Sequence, residues 1–314
     1  MHMSILFIFL DGVGLGADDP QSNPFALAQT PTLWALAGGH KWLASTPRTA
    51  SKRAIFIPTD AGLGVPGRPQ SGTNQAAILT GRNVPREVGE HYGPKPNAAT
   101  RAIIAEDNLF MRLVRAGRTA ALLDAYPDGL FANIERGKTL RSSIQQAAHE
   151  AGVPMRGEDA MRRGDALSVD WTGEGWREFL KDASMPIYTR REAGARMAAL
   201  ALQYDFAFFS HWITDEVGHR GPMERAVALL ELFDQVLAGT LEHWRDEDGL
   251  IIITSDHGNM EDLSTRHHTE ARVPTVLIGG GREQFAEGYT SLLDLTPRIL
   301  QALGVAEDPP ISVR

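Results

Sequence analysis

LIIITSDHGNMED (residues 250–262) joins a run of apolar residues to a cluster of polar ones. The run Leu250–Thr254 is short and is bounded by polar residues, a pattern that predicts a fully buried strand. Asp256 and His257 follow directly where this strand ends. Two interpretations are open at this point: the pair is part of a turn that closes the strand, or it is half of a metal site.

Similar patterns recur along the chain and predict its fold class. Other short apolar runs predict further buried strands over Ile5–Leu10, Thr119–Leu123 and Phe206–Ser210, and Val273–Ile278 is a fifth apolar run. Apolar residues at helical spacing predict helices over Thr100–Ala116, Arg190–Tyr204, Glu224–Trp244 and Ser291–Leu303. Strands that alternate with helices indicate an α/β fold, in which a mostly parallel central sheet is covered by helices on both faces.

The composition excludes several classes of function. The 314 residues are 43% hydrophobic and 22% charged, as is typical of a soluble globular protein, and the net charge of −8 opposes general binding to nucleic acid. The sequence contains no cysteine, so any metal must be bound by oxygen and imidazole ligands. The apolar run near the N-terminus is too short to span a bilayer, and no signal-peptide cleavage pattern follows it. We therefore expect a cytoplasmic protein without a membrane or nucleic-acid partner.

Acidic residues and histidines follow several of the predicted strands. In open parallel sheets, ligands bind outside the carboxyl ends of the strands, so these side chains are expected to meet at one edge. Each motif alone is compatible with a turn or a solvated loop. Together, however, their carboxylates would repel one another when buried, and two divalent cations would remove that cost. The residues concerned are Asp11, Asp215, His219, Asp256, His257, His267 and His268.

A hydroxyl group near these residues is the candidate nucleophile. The irregular stretch Pro58–Gln70 leads into SGTNQ, which precedes a predicted helix over Asn74–Leu79. A helix N-terminus favours an anion such as phosphate, so Ser71 or Thr73 can lie beside a bound phosphate group. The alternative is that one of these hydroxyls only caps the helix.

The motifs, taken in order, resemble those of the alkaline phosphatase superfamily of metalloenzymes. Within it they are most similar to the branch of cofactor-independent phosphoglycerate mutase and phosphopentomutase. The resemblance covers roughly residues 1–82 and 190–304 and leaves the middle of the chain unmatched. It is carried by FLDGVG at 9–14, SGTNQAAILTG at 71–81, TDEVGH at 214–219, TSDHGNMED at 254–262 and HHTEARVP at 267–274.

The resemblance implies a binuclear site. One metal would be bound by Asp11, Asp256, His257 and the nucleophile, and the other by Asp215, His219 and His268; His267 would be a neighbour. The superfamily's nucleophile opens a helix about ten residues before a glycine, which selects Ser71 by counting back from Gly81 and leaves Thr73 second. The two ions would be manganese or zinc, with magnesium possible, and would favour a serine alkoxide that forms a phosphoserine intermediate.

This sequence differs from the mutases in two features, and these differences determine which function we predict. Mutases have a substantial second domain, whereas here only a small cap at about residues 131–184 is predicted beside a core of 1–84 and 185–314, plus the strand near 119–123. The GNSEVGH-like motif of the mutases is also replaced by PQSGTNQ. We therefore expect a metal-dependent phosphohydrolase that acts on a small phosphorylated substrate. The alternatives are a phosphomutase of phosphoglycerate or phosphopentose type, transfer of sulfate or phosphonate, and an inactive metal-stabilised structural protein.

We expect the residues that bind the rest of the substrate between Pro85 and Ser184, a segment in which no recognisable motif occurs. Five cationic side chains in and next to this segment are candidates for contact with phosphate, although each is equally well explained as surface charge: Arg82, Arg86, His91, Lys95 and Lys138.

Overall fold

A computed structural model describes residues 3–306, and within this range the chain forms one seven-stranded sheet. All four predicted strands are present, and the apolar run at 273–278 is a fifth strand. The two additional strands, β2 and β3, escape the sequence patterns because one is very short and the other contains a proline. The strands are β1 Ser4–Leu10, β2 Thr49–Ala50, β3 Ala54–Thr59, β4 Ala120–Leu122, β5 Phe206–His211, β6 Gly249–Thr254 and β7 Val273–Gly279.

The strand order is β2-β3-β7-β6-β1-β5-β4. Strands β6, β1, β5 and β4 form a parallel block, and β7, β3 and β2 extend it through antiparallel pairs. The sheet is therefore mixed but mostly parallel, which confirms the predicted fold class. Because β1 lies between β5 and β6, the loops that follow these three strands are neighbours at one edge.

The helices lie on both faces of the sheet and in the segment that follows β4. The prediction over residues 190–204 corresponds to α11, and that over 224–244 corresponds to α13. The helices are α1 Pro24–Leu27, α2 Pro31–Leu36, α3 Ser71–Thr80, α4 Val84–Val88, α5 Ala98–Glu106, α6 Leu109–Arg115, α7 Asp128–Glu135, α8 Ser143–Glu150, α9 Glu158–Arg163, α10 Glu174–Leu180, α11 Arg190–Ala201, α12 Ile213–Arg220, α13 Met223–His243, α14 Arg282–Ala286 and α15 Leu295–Ala302.

Two of the predicted helices are interrupted. The segment Thr100–Ala116 contains α5 and α6 rather than one helix, because Asp107 is extended and the side chain of Asn108 accepts a hydrogen bond from the backbone of Met111 to start a new helix. At the C-terminal end, Ser291 caps a short 3₁₀ turn before α15 begins. In both cases a local side-chain cap overrides the apolar periodicity.

Alternate residues of β1 face two different hydrophobic clusters. Leu6 and Ile8 belong to the cluster under α11 and α13, and Phe7 belongs to the cluster under α3, α5, α6 and α15. The rings of Phe7 and Phe208 are stacked with centroids 4.8 Å apart. Burial on both faces explains why the central strands are continuously apolar.

The segment predicted as a cap packs in two different hydrophobic clusters. Helix α8 packs on α3, α5 and α6, and its Ile144, Ala147 and Ala148 lie in the second core cluster. Other residues of the segment, including Met161 and Trp176, form a small third cluster. Helix α8 therefore contributes to the core. The division of the chain into a core and a cap stays a prediction.

No helix within residues 3–306 combines the length and the apolar content needed to cross a membrane.

Helices α11 and α13 approach each other closely at two glycines. A Cβ atom added to Gly194 would lie 2.6 Å from the backbone nitrogen of Thr240, and one added to Gly239 would lie 2.9 Å from the Cα atom of Arg191. Real Cβ atoms do not approach backbone atoms so closely, and the backbones on both sides are held in helices. These glycines therefore allow the two helices to cover the sheet together.

We predict that Gly194→Ala lowers the free energy of unfolding by about 1–3 kcal/mol, the usual cost of overpacking. Urea denaturation followed by circular dichroism measures this change. Gly129→Ala is the matched control, since Gly129 lies in α7 and nothing lies within 4 Å of its added Cβ. The control should be as stable as the parent protein or more stable by up to about 1 kcal/mol. Equal stability of the two variants would contradict the close approach of the helices.

Candidate metal centre

The loops after the three central strands bring the predicted acidic residues and histidines together. Asp11 follows β1, and Asp256 and His257 follow β6. Helix α12, which begins after β5, carries Asp215 and His219 one turn apart. His268 comes from the loop before β7 and lies at the same edge.

Asp215, His219 and His268 form the first group of candidate metal ligands. The Nε2 atoms of the two histidines are 3.1 Å apart and lie 3.4 and 3.5 Å from Asp215 Oδ1. Each Nδ1 atom contacts a backbone carbonyl, that of Arg266 for His219 and that of Pro69 for His268. When Nδ1–H donates to these carbonyls, both Nε2 lone pairs face the carboxylate, which is the orientation that a cation requires.

The second group surrounds His257. Its Nε2 atom lies 3.3 Å from Asp11 Oδ1 and 3.6 Å from Asp256 Oδ2. The rings of His257 and His268 are stacked with centroids 3.7 Å apart, so the two groups are adjacent. Ligand atoms of Asp11, Asp215 and His257 lie within 4.8 Å of one another, as do those of the first group, and Asp215 is common to both sets.

Ser71 is the hydroxyl residue that reaches this centre. It is the first residue of α3, and its Oγ atom lies 2.9 Å from His257 Nε2. Thr73 is buried two residues later, where its Oγ1 contacts the carbonyl of Gln70 and accepts a hydrogen bond from the backbone of Tyr92. Ser71 thus faces the candidate ligands, whereas Thr73 binds the backbone of the neighbouring loop.

Side-chain amides that the sequence analysis missed orient the carboxylates. Gln75 Nε2 donates to Asp11 Oδ2 at 3.1 Å and lies 3.3 Å from Asp256 Oδ2. Asn259 Nδ2 donates to Asp215 Oδ1 at 2.7 Å. The signal for Gln75 was its place beside Asn74 in the helix that begins at Ser71, and that for Asn259 was its position two residues after His257.

Glu261 joins the loops that follow β1 and β6. This buried carboxylate accepts hydrogen bonds from the backbone of Gly14 at 3.0 Å and of Asn259 at 2.7 Å, and from the hydroxyl of Thr269. Gly14 has no room for a side chain, since an added Cβ would lie 2.5 Å from the Glu261 carboxylate oxygens. These hydrogen bonds of Glu261 hold the loop after β1 against the loop that precedes His268.

The protonation of these groups reflects their burial and mutual charge. Burial, followed by the negative charge of Asp256, raises the pKa of Asp11 to about 8. Burial also raises the pKa of Asp256. Burial opposes the charged form of His257, but Asp256 and Asp11 outweigh this effect and raise its pKa to about 10. Without a cation the centre therefore retains protons near neutral pH, and a cation that binds must displace them.

The donor set fits divalent metal ions. Asp11 Oδ1 is buried without a hydrogen bond of good geometry, although it faces the other ligands. Carboxylate oxygens and imidazole nitrogens converge, and the sequence offers no thiolate. Such mixed oxygen and nitrogen sites suit zinc or manganese. His267 is exposed and lies outside both groups.

A cavity of about 860 Å³ opens beside the centre. Asp11, Ser71 and Asp215 line one end of it, and Lys95 is part of the same wall. Of the other cationic candidates from the sequence, Arg82 forms ion pairs with Glu87 and Glu106 and does not line the cavity. The remaining three, Arg86, His91 and Lys138, also lie outside its lining.

Comparisons with known proteins agree with the sequence motifs. The model of a family described as the metalloenzyme superfamily matches residues 188–307. The 2,3-bisphosphoglycerate-independent phosphoglycerate mutase of Legionella pneumophila is 33% identical over 107 residues, which are 32% of this chain and 21% of that protein. The enzyme of the same name from Methylobacillus flagellatus is 30% identical over 122 residues, 37% of this chain and 24% of that protein. The chain thus aligns with less than a quarter of the length of either relative.

Solved structures share the fold over almost the whole chain. The PH0037 protein of Pyrococcus horikoshii has a TM-score of 0.59 at 17% identity and covers 98% of both chains. An alkaline phosphatase from the Antarctic bacterium TAB5 has a TM-score of 0.56 at 12% identity, over 97% of this chain and 98% of that one. A Leishmania mexicana phosphoglycerate mutase has a TM-score of 0.51 at 12% identity, over 99% and 97%. At these identities the likeness concerns the fold alone.

We predict that Asp256→Ala and His268→Ala each lower the metal content of the purified protein, because each removes one of the few converging donors. Inductively coupled plasma mass spectrometry after growth with manganese or zinc gives the content per chain.

The matched control is His267→Ala, which removes the exposed imidazole next to His268 and should leave the metal content unchanged. Equal metal content in all three variants and the parent protein would exclude the two ligand groups.

Proposed function

We propose that this chain, a metalloenzyme of the alkaline phosphatase superfamily, hydrolyses phosphate monoesters with Ser71 as its nucleophile. The main support is the position of Ser71 Oγ, which opens α3 and lies 2.9 Å from His257 where the two ligand groups meet. A nucleophile beside two candidate cation sites is the arrangement that two-metal phosphoryl transfer requires. The partner would be a small phosphorylated substrate.

We assign the metal ligands as the motifs suggest. Asp11, Asp256, His257 and Ser71 would bind one divalent ion, and Asp215, His219 and His268 would bind the other. Manganese or zinc fits the donor set best, and magnesium is the further candidate. Bound at these residues, the ions would supply the positive charge that favours the serine alkoxide and stabilises the departing oxygen.

The chain's own residues would then act in two steps. In the first, Ser71 Oγ loses its proton and attacks phosphorus; the phosphorus–oxygen bond to the alcohol breaks, the alcohol takes up a proton and a phosphoserine remains. In the second, water attacks phosphorus, releases inorganic phosphate and returns a proton to Ser71. Gln75 and Asn259 would hold the carboxylates of Asp11 and Asp215 in position through both steps.

Hydrolysis is favoured over intramolecular transfer by the small size of the elements that cover the site. A mutase must retain its dephosphorylated intermediate and exclude water until the phosphoryl group returns. Here α8, within the predicted cap, packs into the core, and the third hydrophobic cluster is small. Phosphomutase activity is the second candidate, because the two relatives named above are phosphoglycerate mutases, of which this chain matches less than a quarter.

We predict that Ser71→Ala reduces turnover of 4-nitrophenyl phosphate by about 1,000-fold or more in the presence of manganese, since the covalent step loses its nucleophile. Thr73→Ala serves as the control and should keep most of the activity, because Thr73 contacts the backbone of Gln70 and Tyr92 instead. Activity that persists in Ser71→Ala and is lost in Thr73→Ala would transfer the role to Thr73.

Product analysis separates the hydrolase from the mutase. We expect 3-phosphoglycerate and ribose 1-phosphate, when they are turned over, to yield inorganic phosphate rather than isomers, because water is not excluded from so lightly covered a site. Phosphorus NMR of the reaction mixture distinguishes these products. Isomerised product without free phosphate would establish the mutase alternative.

A further inference from the structure

The cavity beside Ser71 has two chemically different ends. One end contains Ser71 and the candidate metal ligands Asp11 and Asp215. The wall leading away from them is formed largely by apolar and aromatic side chains of the segment after β4 and of the start of α12. These include Tyr126, Leu130, Trp176, Phe179, Leu180 and Trp212.

Two aromatic side chains of this wall are unusually exposed. Phe179 is 71% exposed and Trp212 is 50% exposed, the two highest values among the large hydrophobic residues of the described chain. Both line the cavity, whereas the neighbouring Trp176 is buried in the third cluster. Large apolar side chains that remain in water beside a reactive centre are typical of a ligand-binding surface.

The wall provides little positive charge for a second anionic group. Among residues 3–306, Lys95 and Arg225 are the cationic side chains that line the cavity. Arg225 is paired with Glu216 at 2.8 Å. The backbone of Lys95 lies against Gly72, the neighbour of Ser71, so Lys95 belongs to the end where the phosphate itself would bind.

The acidic side chains of this wall provide no positive charge for an anion. Asp124 is buried and accepts a hydrogen bond from the backbone of Ser210, and because burial raises its pKa to about 8 it is largely uncharged at neutral pH. The carboxylate of Asp170 accepts hydrogen bonds from the backbone of Gly173 and Gly175. A carboxylate on the substrate would have to lie among these groups without a free cation to balance it.

We infer that the substrate is a phosphate monoester whose alcohol part is uncharged and largely apolar, an aromatic ring or an alkyl chain that lies against Phe179 and Trp212. This substrate class rests on the proposed hydrolase function. Glycerate and other acidic alcohols would be poor substrates, because their carboxylate would meet apolar and acidic side chains. The cavity volume of about 860 Å³ is sufficient for a group of this size.

The test uses three primary alkyl phosphates with similar leaving groups, so that binding rather than intrinsic reactivity decides the rates: ethyl phosphate, hexyl phosphate and 3-phosphoglycerate. We expect kcat/KM for hexyl phosphate to exceed that for ethyl phosphate by about 10- to 200-fold, the range expected when four methylene groups leave water partly or fully. 3-Phosphoglycerate should be the poorest of the three. Free phosphate is measured with the metal-loaded protein.

Variants locate the effect on the wall. Phe179→Ala and Trp212→Ala should each lower the ratio of kcat/KM for hexyl over ethyl phosphate, by several-fold when one ring is lost. Val114→Ala is the control, since Val114 is an exposed apolar residue of α6 outside the cavity lining and should change neither the ratio nor the rate. Two wall variants are used so that a folding defect in one leaves the other informative.

The outcomes separate the substrate class from the hydrolase function. Phosphate release with equal kcat/KM for ethyl and hexyl phosphate, or with a preference for 3-phosphoglycerate, would overturn the inferred class and leave the hydrolase function intact. A hexyl preference that survives both wall variants would also overturn it. The absence of phosphate release from every ester would overturn the hydrolase function and the inferred class together.

Discussion

Asp11 and Asp256 place two carboxyl groups within the folded chain where water is almost excluded, and Asp215 adds a third carboxylate beside them. Burial and mutual repulsion make their ionised forms costly, so the pKa values of the two buried groups rise. The rest of the centre offsets this cost: His257 carries a proton between them, and Gln75 and Asn259 donate hydrogen bonds. A metal ion would replace the protons, and the same hydrogen bonds would keep its carboxylate ligands in place.

The sheet topology explains how residues so distant in sequence meet. The loops after β1, β5 and β6 are adjacent because β1 lies between the other two strands in the parallel block. Helix α3 brings Ser71 to the same edge, and Asn74 of that helix donates to the carbonyl of Asp256 at 2.8 Å. Because Gly14 has no side chain, the loop after β1 can contact Glu261 of the loop after β6 directly. Rigid, fully buried strands thus hold a site whose own groups repel one another.

The strand ends were predictable from sequence because apolar runs and the polar residues after them are local signals. That is why six of the seven predicted acidic residues and histidines meet at one edge, whereas the exposed His267 lies outside the ligand groups. Strands β2 and β3 were not predictable, since β2 has two residues and Pro58 masks the pattern of β3. The orienting amides were also missed, because Gln75 becomes meaningful only when α3 crosses the ends of β1 and β6. Helix α8 also escaped the sequence patterns, because its apolar face is completed by residues of α3 and α5.

Helix α12 connects the reactive centre to the proposed substrate wall. Trp212 precedes the first turn of this helix. Asp215 and His219 follow one turn apart, so both lie on the helix side that faces the metal centre. The ring at the start of the helix and the candidate ligands therefore share one short rigid element. By contrast, Phe179 lies in α10, which contributes none of the candidate ligands. It follows that substitutions in α10 can change which alcohols fit without moving the metal ligands, whereas changes at Trp212 act on an element that also positions the chemistry.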